Sequence, residues 1–445
     1  MYQNKKAVLI FGVGPLQKSI IGRAHKMGLF VVGIDPCEDA YCKEDVDAFE
    51  VVGGQDYEGT CAVVEKYGIN AIVTAATDKP LVMMARIAEK YGFPFYSVET
   101  AQWSTDKFQM KHRFELGDVP HAQGVLLRAE DLDRMLRRNH SKIDEKIFSI
   151  DFDNDFSEIS DHRPSQEPHF PVIVKPRDNS GSRGVKLCRN KEELKASIEE
   201  ALDNSKLDTV LVEEFIEGSE YSIESLHYFE VSQQPTANVQ QPECKSEVIQ
   251  FTEKKTTEFP YNVELGHKQP ANLSEEQKNA IREIVSKIGK AMNFVNCPSH
   301  TELKITDRGI FVIETSPRLG GDYITSTLTP LSTGINLEDQ LLHIALGESV
   351  DTKTGRVDKA SGVHFFCLPE GRVQKIDTKA LEETKKWPGI YNLNLKLKEG
   401  DEVRQITSSL NRYGEFIVKS EDREELDRLM NEYENRINKM VIINK

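Results

Sequence analysis

The 445-residue chain is predicted to combine an α/β N-terminal domain with α+β domains after it. Residues 5–96 alternate short apolar strands with helices, the pattern of a doubly wound parallel sheet. Residues 351–445 hold several strands followed by an acidic amphipathic helix, which is typical of a small α+β domain. The segment between these two regions contains three motifs that indicate nucleotide and metal binding.

The N-terminal alternation starts with a strand at residues 8–11 and a glycine turn at 12–15. Gly12 and Gly14, with an aspartate at position 35, resemble a dinucleotide-binding fingerprint. The third glycine of that fingerprint should stand at position 17, which is Gln17, so the match is incomplete. NAD binding is the alternative that this region leaves open.

The most informative motif places Glu302 and Glu314 twelve residues apart. Residues 301–305 alternate, residues 310–314 form an apolar run, and Thr306-Asp307-Arg308-Gly309 between them reads as a turn. This pattern predicts a hairpin with one carboxylate on each strand. Neighbouring carboxylates repel unless a cation lies between them, and oxygen ligands suit Mg²⁺. The alternative is a solvated acidic hairpin.

A second motif supplies groups that suit phosphate. Residues 171–176 form an apolar strand that ends on Lys175 and stops at Pro176. The small residues that follow, 179–185, have backbone N–H groups able to wrap an anion. No Gly-Lys-Ser/Thr precedes a helix, so this is not a Walker loop. A plain hairpin turn is the alternative.

The third motif is an acidic strand pair at residues 210–224, connected through Gly218. Hinge backbone of this kind can hydrogen-bond an adenine edge, and a carboxylate can hold ribose hydroxyls. Alone, the segment is compatible with any acidic strand pair.

In this order the three motifs resemble the ATP-grasp superfamily. The matching text is VIVKPRDNSGSRGV, VEEFIEGSEYSIE and HTELKITDRGIFVIETSPRLGGD, and residues 105–111 resemble the first lysine segment of the family. The resemblance covers about residues 5–345. Within the superfamily the chain is similar to carboxylate–amine ligases that act on amino acids, including the L-amino-acid ligases that make dipeptides.

The resemblance implies ATP contacts on four segments. Lys107, Lys175 and a mobile loop that contains Ser180, Gly181, Ser182 and Gly184 would contact the phosphates. The adenine hinge would comprise Glu213, Glu214, Phe215 and Ile216, and Glu220 would bind the ribose.

The resemblance also implies a metal site and a reaction centre. Glu302, Glu314 and Ser316 would hold Mg²⁺, with Mn²⁺ as an alternative metal. Arg318 would steady an acyl phosphate and its tetrahedral successor, next to Lys175 and Ser182. Glu264 and His267 match a Glu-x-x-His element near the amino-acid substrate; the alternative is an exposed loop histidine.

One position departs from the family. The usual text is Glu-x-Asn-Pro-Arg, but here it is Glu314-Thr315-Ser316-Pro317-Arg318. A serine hydroxyl is a weaker and shorter metal ligand than an amide oxygen, so direct ligation and ligation through water both stay open. Because both carboxylates and the arginine are present, the change does not indicate loss of activity.

Three domains are expected. They are an N-terminal domain at residues 1–98, an ATP-grasp core at 99–350 and a C-terminal α+β domain at 351–445. Within the core a lid subdomain is expected at about 125–212, with an acidic, solvated insertion at 141–168.

Composition excludes several classes of protein. Acidic residues outnumber basic ones by 72 to 57, a net charge of −15, which argues against non-specific nucleic-acid binding. The seven cysteines show no zinc or Cys-x-x-Cys spacing and fit free thiols in the cytoplasm. We expect no signal peptide and no membrane span. The resemblance implies a homodimer.

The function expected from all this is ATP-dependent joining of a carboxylate to an amine through an acyl phosphate, with release of ADP and phosphate. At least one substrate would be an amino acid. Two alternatives stay open: an ATP-grasp enzyme that uses bicarbonate, a nucleotide precursor or a sugar amine, and a non-catalytic ATP sensor.

Overall fold

The computed structural model describes residues 5–128, 170–179, 183–229, 244–259 and 261–444. The predicted acidic insertion and the loop residues Ser180, Gly181 and Ser182 lie outside these ranges.

The N-terminal region is a parallel sheet with helices packed on it, as predicted. The sheet order is β3-β2-β1-β4, with β1 (Ala7–Phe11), β2 (Phe30–Asp35), β3 (Ala48–Val51) and β4 (Ala71–Val73). The helices are α1 (Lys18–Lys26), α2 (Tyr57–Tyr67) and α3 (Leu81–Tyr91). Strand β1 is buried along its whole length because both of its faces are covered. The loops at the carboxyl ends of the strands therefore meet at one edge of the sheet.

A second, antiparallel sheet follows two connecting helices, α4 (Val98–Thr105) and α5 (Lys107–Leu116). Its order is β5-β8-β6-β7, with β5 (Gly124–Arg128), β6 (Val172–Pro176), β7 (Lys186–Cys188) and β8 (Thr209–Glu214). Helix α6 (Lys191–Asp203) packs on this sheet through Leu194, Ile198 and Ala201. Asp106 caps α5 by accepting from the backbone of Phe108 and Gln109, which fixes Lys107 at the first helical position.

The largest sheet has eight strands in the order β13-β12-β9-β10-β11-β14-β18-β16. Its first part contains β9 (Ser219–Phe229), β10 (Cys244–Thr256), β11 (Glu264–Gln269), β12 (Cys297–Thr306) and β13 (Gly309–Ser316). Helix α7 (Glu275–Ala291) starts at a capping box of Ser274 and Gln277 and buries its apolar face. A π-helical turn (Ile324–Leu328), α8 (Thr329–Thr333) and α9 (Leu337–Ala345) follow the hairpin.

The C-terminal region adds three strands to this same sheet. It comprises β14 (Ala360–Phe365), β15 (Gly371–Ile376), α10 (Thr378–Thr384), β16 (Ile390–Leu395), β17 (Glu402–Val403), β18 (Gly414–Ser420), α11 (Arg423–Asn438) and β19 (Val441–Asn444). Strand β14 pairs with β11, where Gly266 lies opposite His364. Backbone hydrogen bonds therefore connect the C-terminal region directly to the central sheet. In the described part of the chain, no helix combines the length and apolar character needed to cross a bilayer.

Candidate active site

The predicted hairpin of the two carboxylates is confirmed. Strands β12 and β13 pair antiparallel, and Glu302 lies directly opposite Glu314. A register shift follows between Glu302 and Leu303, so the hairpin contains a bulge beside the acidic pair. Bulges of this kind redirect side chains next to functional sites.

Each carboxylate of the hairpin faces a lysine. The Lys107 Nζ lies 3.0 Å from Glu314 Oε2, and the Lys254 Nζ lies 2.8 Å from Glu302 Oε1. Lys254 is buried and also lies 3.5 Å from a carboxylate oxygen of Glu264 and 3.9 Å from one of Glu220. Burial disfavours the charged ammonium, but the three carboxylates outweigh it and raise the pKa of Lys254. Negative charge is thus in excess around this one lysine.

A buried glutamate holds one lysine that was predicted to bind phosphate and a second lysine that was not. Lys175 forms an ion pair with Glu213, and the Lys111 Nζ lies 3.2 Å from Glu213 Oε1. Burial alone would raise the pKa of Glu213, but the two lysines lower it to about 2. Burial lowers the pKa of Lys111 to about 8. The side chain of Glu213, a predicted hinge residue, therefore balances the charge of Lys175, which lines the second cleft described below, and of Lys111.

Two adjoining clefts hold the remaining ATP-contact candidates. The first is lined by Glu214, Phe215, Ile216, Glu220, Ala122, Phe259, Tyr261, Asn262 and Lys304 among others. The second is lined by Lys107, Lys175, Asn179, Lys254, Glu302 and Glu314 among others. The two clefts share Lys175 and Glu220. The apolar first cleft thus opens onto the charged second cleft, as a base and a phosphate chain require.

The ribose candidate Glu220 is fixed by two neighbours. Asn262 Nδ2 donates to Glu220 Oε1 at 3.2 Å, and the Lys304 Nζ lies 3.2 Å from the same oxygen. Lys304 also donates to the backbone carbonyl of Ile216 at 3.0 Å. The carboxylate is therefore held at the junction of the two clefts.

Arg318 is held by a residue of the N-terminal region. The Nε of Arg318 donates to Asp78 Oδ1 at 2.9 Å, and the hydroxyl of Ser316 donates to the same oxygen at 2.6 Å. Burial opposes ionisation of Asp78, but Arg318 and Ser316 together lower the pKa of this carboxyl. The hydroxyl proposed as a metal ligand thus already has a carboxylate acceptor.

A second buried pair fixes the turn after Arg318. The Nδ1 of His300 lies 2.5 Å from Glu224 Oε1, and the backbone N–H of Gly320 donates to Glu224 Oε2 at 3.3 Å. Burial disfavours protonation of His300, but Glu224 outweighs it and raises the pKa of the histidine to about 9. The histidine is therefore charged at neutral pH and anchors the glutamate that binds the turn.

His267 lies in strand β11 and is 1% exposed, so the alternative of an exposed loop histidine is wrong. Its Nε2 lies 3.7 Å from Asp322 Oδ2. Glu264, three residues earlier, contacts Lys254 beside Glu302. The Glu-x-x-His element therefore connects the metal candidates to the turn that follows Arg318.

The N-terminal glycine turn is stabilised by its own side chains. Asp35 accepts from the backbone N–H groups of Val13 at 3.0 Å and Cys37 at 2.9 Å. Gln17 accepts from the Gly14 N–H at 3.1 Å and donates to the Ala75 carbonyl at 2.7 Å. In a dinucleotide site Asp35 would bind a ribose, but here its carboxylate already binds backbone N–H groups of the turn. This favours a structural role for Asp35 over NAD binding.

Among the site residues that sequence reasoning missed are Asp78, Lys111 and Lys254. Asp78 follows β4 at the carboxyl edge of the parallel sheet, a position where ligand-binding residues are common. Its position after a predicted strand could therefore have identified it as a candidate. Lys254 lies on a long polar strand, and Lys111 lies one helical turn after Lys107. In the sequence, neither residue could be distinguished from an ordinary surface lysine.

Comparison with known families agrees with this geometry. Residues 168–326 match the family described as "ATP-grasp domain", and residues 364–440 match "L-amino acid ligase C-terminal domain 2". The chain therefore carries an ATP-grasp domain followed by a C-terminal domain of the L-amino acid ligase type, and the predicted superfamily and fold are confirmed.

Curated relatives match over part of the chain. An uncharacterized protein, y4rH, of Sinorhizobium fredii is 24% identical over 265 residues, which cover 59% of this chain and 51% of that protein. The formate-dependent phosphoribosylglycinamide formyltransferase of Bacillus subtilis is 26% identical over 222 residues, covering 48% and 50% respectively. The chain thus spans about half the length of these relatives.

Solved structures match over nearly the whole chain. The L-amino acid ligase from Bacillus licheniformis superposes with a TM-score of 0.73 at 17% identity, covering 99% of both chains. Phosphoribosylglycinamide synthetase from Anaerococcus prevotii superposes with a TM-score of 0.69 at 21% identity, covering 99% of this chain and 100% of that one. At this level of identity the likeness shows the fold.

Proposed function

We propose that this ATP-grasp protein is an ATP-dependent carboxylate–amine ligase with an amino acid as at least one substrate. One observation carries the proposal: Glu302 and Glu314 pair across a hairpin in the same cleft as Lys107 and Lys175, next to a second cleft lined by Phe215, Ile216 and Phe259. Two carboxylates and two lysines at the end of a base pocket suit the phosphates of ATP and their metal.

The residues of the cleft fit a magnesium ion that arrives with the nucleotide. In the described ranges no three acidic, histidine or cysteine side chains gather into a complete metal site. Mg²⁺ in nucleotide enzymes is held by one or two carboxylates plus substrate phosphates, so Glu302 and Glu314 are a sufficient protein contribution. When bound, the metal would neutralise charge on the phosphates.

The first chemical step activates a carboxylate. A carboxylate oxygen of the substrate attacks the γ-phosphorus of ATP, the bond to the β-phosphate oxygen breaks, and ADP leaves an acyl phosphate behind. Such transfers depend on positioning and on stabilisation of negative charge. Lys107 and Lys175 supply the positive charge from the protein side, and Glu213 fixes Lys175 through an ion pair.

The second step joins the amine. The amine nitrogen attacks the acyl carbon, the carbon–oxygen bond to phosphate breaks, and the amine loses a proton. Arg318, oriented by Asp78, would stabilise the oxyanion of the tetrahedral intermediate. Glu264 or His267 would accept the proton, since both lie on β11 between the hairpin and the turn after Arg318.

The amino-acid substrate rests on two independent supports. The C-terminal segment matches the L-amino acid ligase domain family, and Glu264 and His267 lie beside the proposed reaction centre. A non-amino-acid substrate is the second candidate, because curated relatives include a formyltransferase named for phosphoribosylglycinamide. We further propose a cytoplasmic homodimer, which light scattering of the purified protein would test.

The deciding experiment incubates purified protein with ATP, Mg²⁺ and pooled amino acids while phosphate release and product masses are recorded. A new mass equal to two substrates minus water, formed only with amino acids, supports the amino-acid ligase. Phosphate release without that product, or only with bicarbonate or a ribonucleotide amine, supports the second candidate. Bound ATP with no release in any mixture supports a sensor and contradicts the ligase.

A further inference from the structure

A buried polar cluster lies where the C-terminal region meets β11 and the turn after Arg318. We call it the seam cluster and define it as His267, Asp322, Tyr323, Arg412 and Glu415. Its members come from three distant parts of the sequence. They are connected through Phe365, whose ring centroid lies 6.2 Å from that of His267, 6.5 Å from that of Tyr323 and 3.7 Å from the Arg412 guanidinium.

One pair of charges in the seam cluster is balanced. Arg412 donates two hydrogen bonds to the carboxylate of Asp322, at 2.7 and 2.6 Å. Burial disfavours ionisation of Asp322, but these bonds keep its pKa below the ordinary value. Bidentate arginine–carboxylate pairs are strong and well oriented. Arg412 is therefore fully engaged and leaves no charge for a neighbour.

The carboxyl of Glu415 has no positively charged partner of this kind. The residue is 3% exposed, and its Oε1 accepts from the Tyr323 hydroxyl at 2.9 Å and from Asn394 Nδ2 at 3.2 Å. Both donors are neutral, and none of the described lysines, arginines or histidines forms an ion pair with it. Glu415 is thus a buried carboxyl that has hydrogen-bond donors but no cationic partner in the described part of the chain. A buried carboxylate without a cation is strongly unfavourable, so this position suits a cationic ligand.

His267 gives a second, independent sign of a missing ligand. Its imidazole is 1% exposed, its Nδ1 has no hydrogen-bond partner within the part of the chain that the structure describes, and its Nε2 has only the Asp322 carboxylate at 3.7 Å, beyond hydrogen-bond length. Buried polar groups are nearly always paired, and an orphan costs roughly 1–3 kcal/mol. A ligand that offers N–H groups would pair this ring and Glu415 together.

The position of the seam cluster connects it to the proposed reaction. Asp322 and Tyr323 follow Arg318 by four and five residues in one turn. His267 shares β11 with Glu264, which reaches Lys254 beside Glu302. The side chain of Asp322 is 25% exposed, so the cluster is open on this side.

We propose that the seam cluster binds a protonated amino group of the carboxylate substrate. The ammonium would donate to Glu415, to the Tyr323 hydroxyl oxygen and to a ring nitrogen of His267, and would supply the missing positive charge. This amino group differs from the attacking amine, which must be unprotonated. The inference rests on the proposed ligase function and names its donor as an amino acid. It also makes the C-terminal region part of the substrate site.

The test uses the full chain with hydroxylamine as the amine, so that only the carboxylate donor varies. Donors are compared in pairs with and without the amino group: alanine and propionate, leucine and 4-methylpentanoate, phenylalanine and 3-phenylpropionate. Hydroxamate and ADP are both measured. The wild type should prefer an amino acid at least about tenfold in kcat/KM, which corresponds to one charged hydrogen bond.

The Glu415→Gln variant should lose that preference because its KM for the amino acid rises, while its KM for ATP stays unchanged. Tyr323→Phe, which keeps the ring, should reduce it severalfold and serves as the second variant should Glu415→Gln fail to fold. Glu421→Gln, an exposed neighbour paired with Lys359, is the control and should keep the preference. An unchanged preference in both seam variants, or none in the wild type, overturns the inference.

Failure of the ligase proposal is separable from failure of this inference. Melting temperatures are measured with 10 mM of each pair member and no ATP. Stabilisation of the wild type by the amino acid but not by its partner, lost in Glu415→Gln, supports the ammonium site even where no ADP forms. Equal effects of both members in the wild type overturn the site whatever the turnover.

Discussion

The candidate site has a phosphate side, where ATP phosphates and metal would bind, and a side for the carboxylate and amine substrates, called the acceptor side. The two sides are built in different ways. Lys107, Lys175 and Glu314 come from the ATP-grasp segments themselves and face one cleft. On the acceptor side, Arg318 is oriented by Asp78 from the N-terminal sheet, and the turn after it is held by Arg412 from the C-terminal region. The proposed phosphate contacts thus come from local motifs, whereas the proposed substrate contacts depend on how three regions dock.

The largest expected effect tests the phosphate side. Replacing Glu314 with alanine should abolish ADP formation, a loss of at least about 10³-fold, because the cleft would lose one of the two carboxylates proposed to hold the metal. The protein should remain folded, since Glu314 is partly exposed and its partner Lys107 also donates to the Asn179 carbonyl. ADP release and circular dichroism are measured together.

The control for this change is Glu275→Gln, an exposed residue at the start of α7, which should leave turnover unchanged. Wild-type turnover in Glu314→Ala would refute the metal assignment and would remove the contrast between the two sides.

The next effect concerns the docking on which the acceptor side depends. Glu338 on α9 is buried against α1, where the Ser19 hydroxyl donates to it at 2.5 Å. Burial raises the pKa of Glu338 to about 7 from an ordinary 4.5. Its contribution to stability is therefore complete below about pH 4.5 and is lost as pH rises through 7, an amount of about 3 kcal/mol.

Glu338→Gln should remove this dependence. Melting temperatures of the wild type and the variant between pH 5 and 8 are the measurement, and the difference between them should grow in favour of the variant as pH rises. Parallel curves for the two proteins would show that Glu338 does not titrate at the α1–α9 contact. Asp351→Asn, an exposed carboxyl, is the control and should follow the wild type in this range.

The same contrast explains how much the sequence could predict. Spacing and residue type were enough to predict two local features, the strand–helix alternation at residues 5–96 and the Glu302–Glu314 hairpin. Family resemblance added order and spacing across the core. These signals predicted Lys107, Lys175, Glu302 and Glu314, which line one cleft, but they did not find Lys111 or Lys254.

Long-range pairs could not be derived in this way. Asp78 and Arg318 are 240 residues apart, and Arg412 and Asp322 are 90 apart. The sequence does not indicate that an aspartate after a strand pairs with an arginine in a distant loop. Only the packing of the domains brings the two side chains together. The same holds for Glu213, where the strand pattern predicted a hinge and burial among lysines makes it a counter-ion as well.

A moderate effect is expected at the contact between the N-terminal region and Arg318. Asp78→Asn keeps the size of the side chain but removes the charge that orients the guanidinium and accepts from Ser316. Turnover should fall roughly 10- to 100-fold, as is usual for residues that position a functional group. KM for ATP should change little, because Asp78 lies outside both clefts.

Kinetics with ATP and with the amino acid separate this outcome from a loss of folding. Asp35→Asn alters another carboxylate at the same edge of the sheet, one that binds only backbone in its own turn, and is the matched control. A rise in KM for ATP without a fall in kcat would move Asp78 from the acceptor side to the phosphate side.

The smallest effect is expected at His267. Replacing it with alanine removes an orphaned imidazole that contacts Asp322 and stacks edge-on with Phe365, and no nucleotide cleft includes it. Amino-acid use should therefore weaken about tenfold while ATP affinity stays constant. The measurements are KM for the amino acid in steady-state turnover and Kd for ATP by calorimetry. His25→Ala, an exposed histidine on α1, is the control and should change neither. If ATP affinity falls and substrate preference is unchanged, β11 belongs to the phosphate side, and the acceptor side must be sought nearer Asp78.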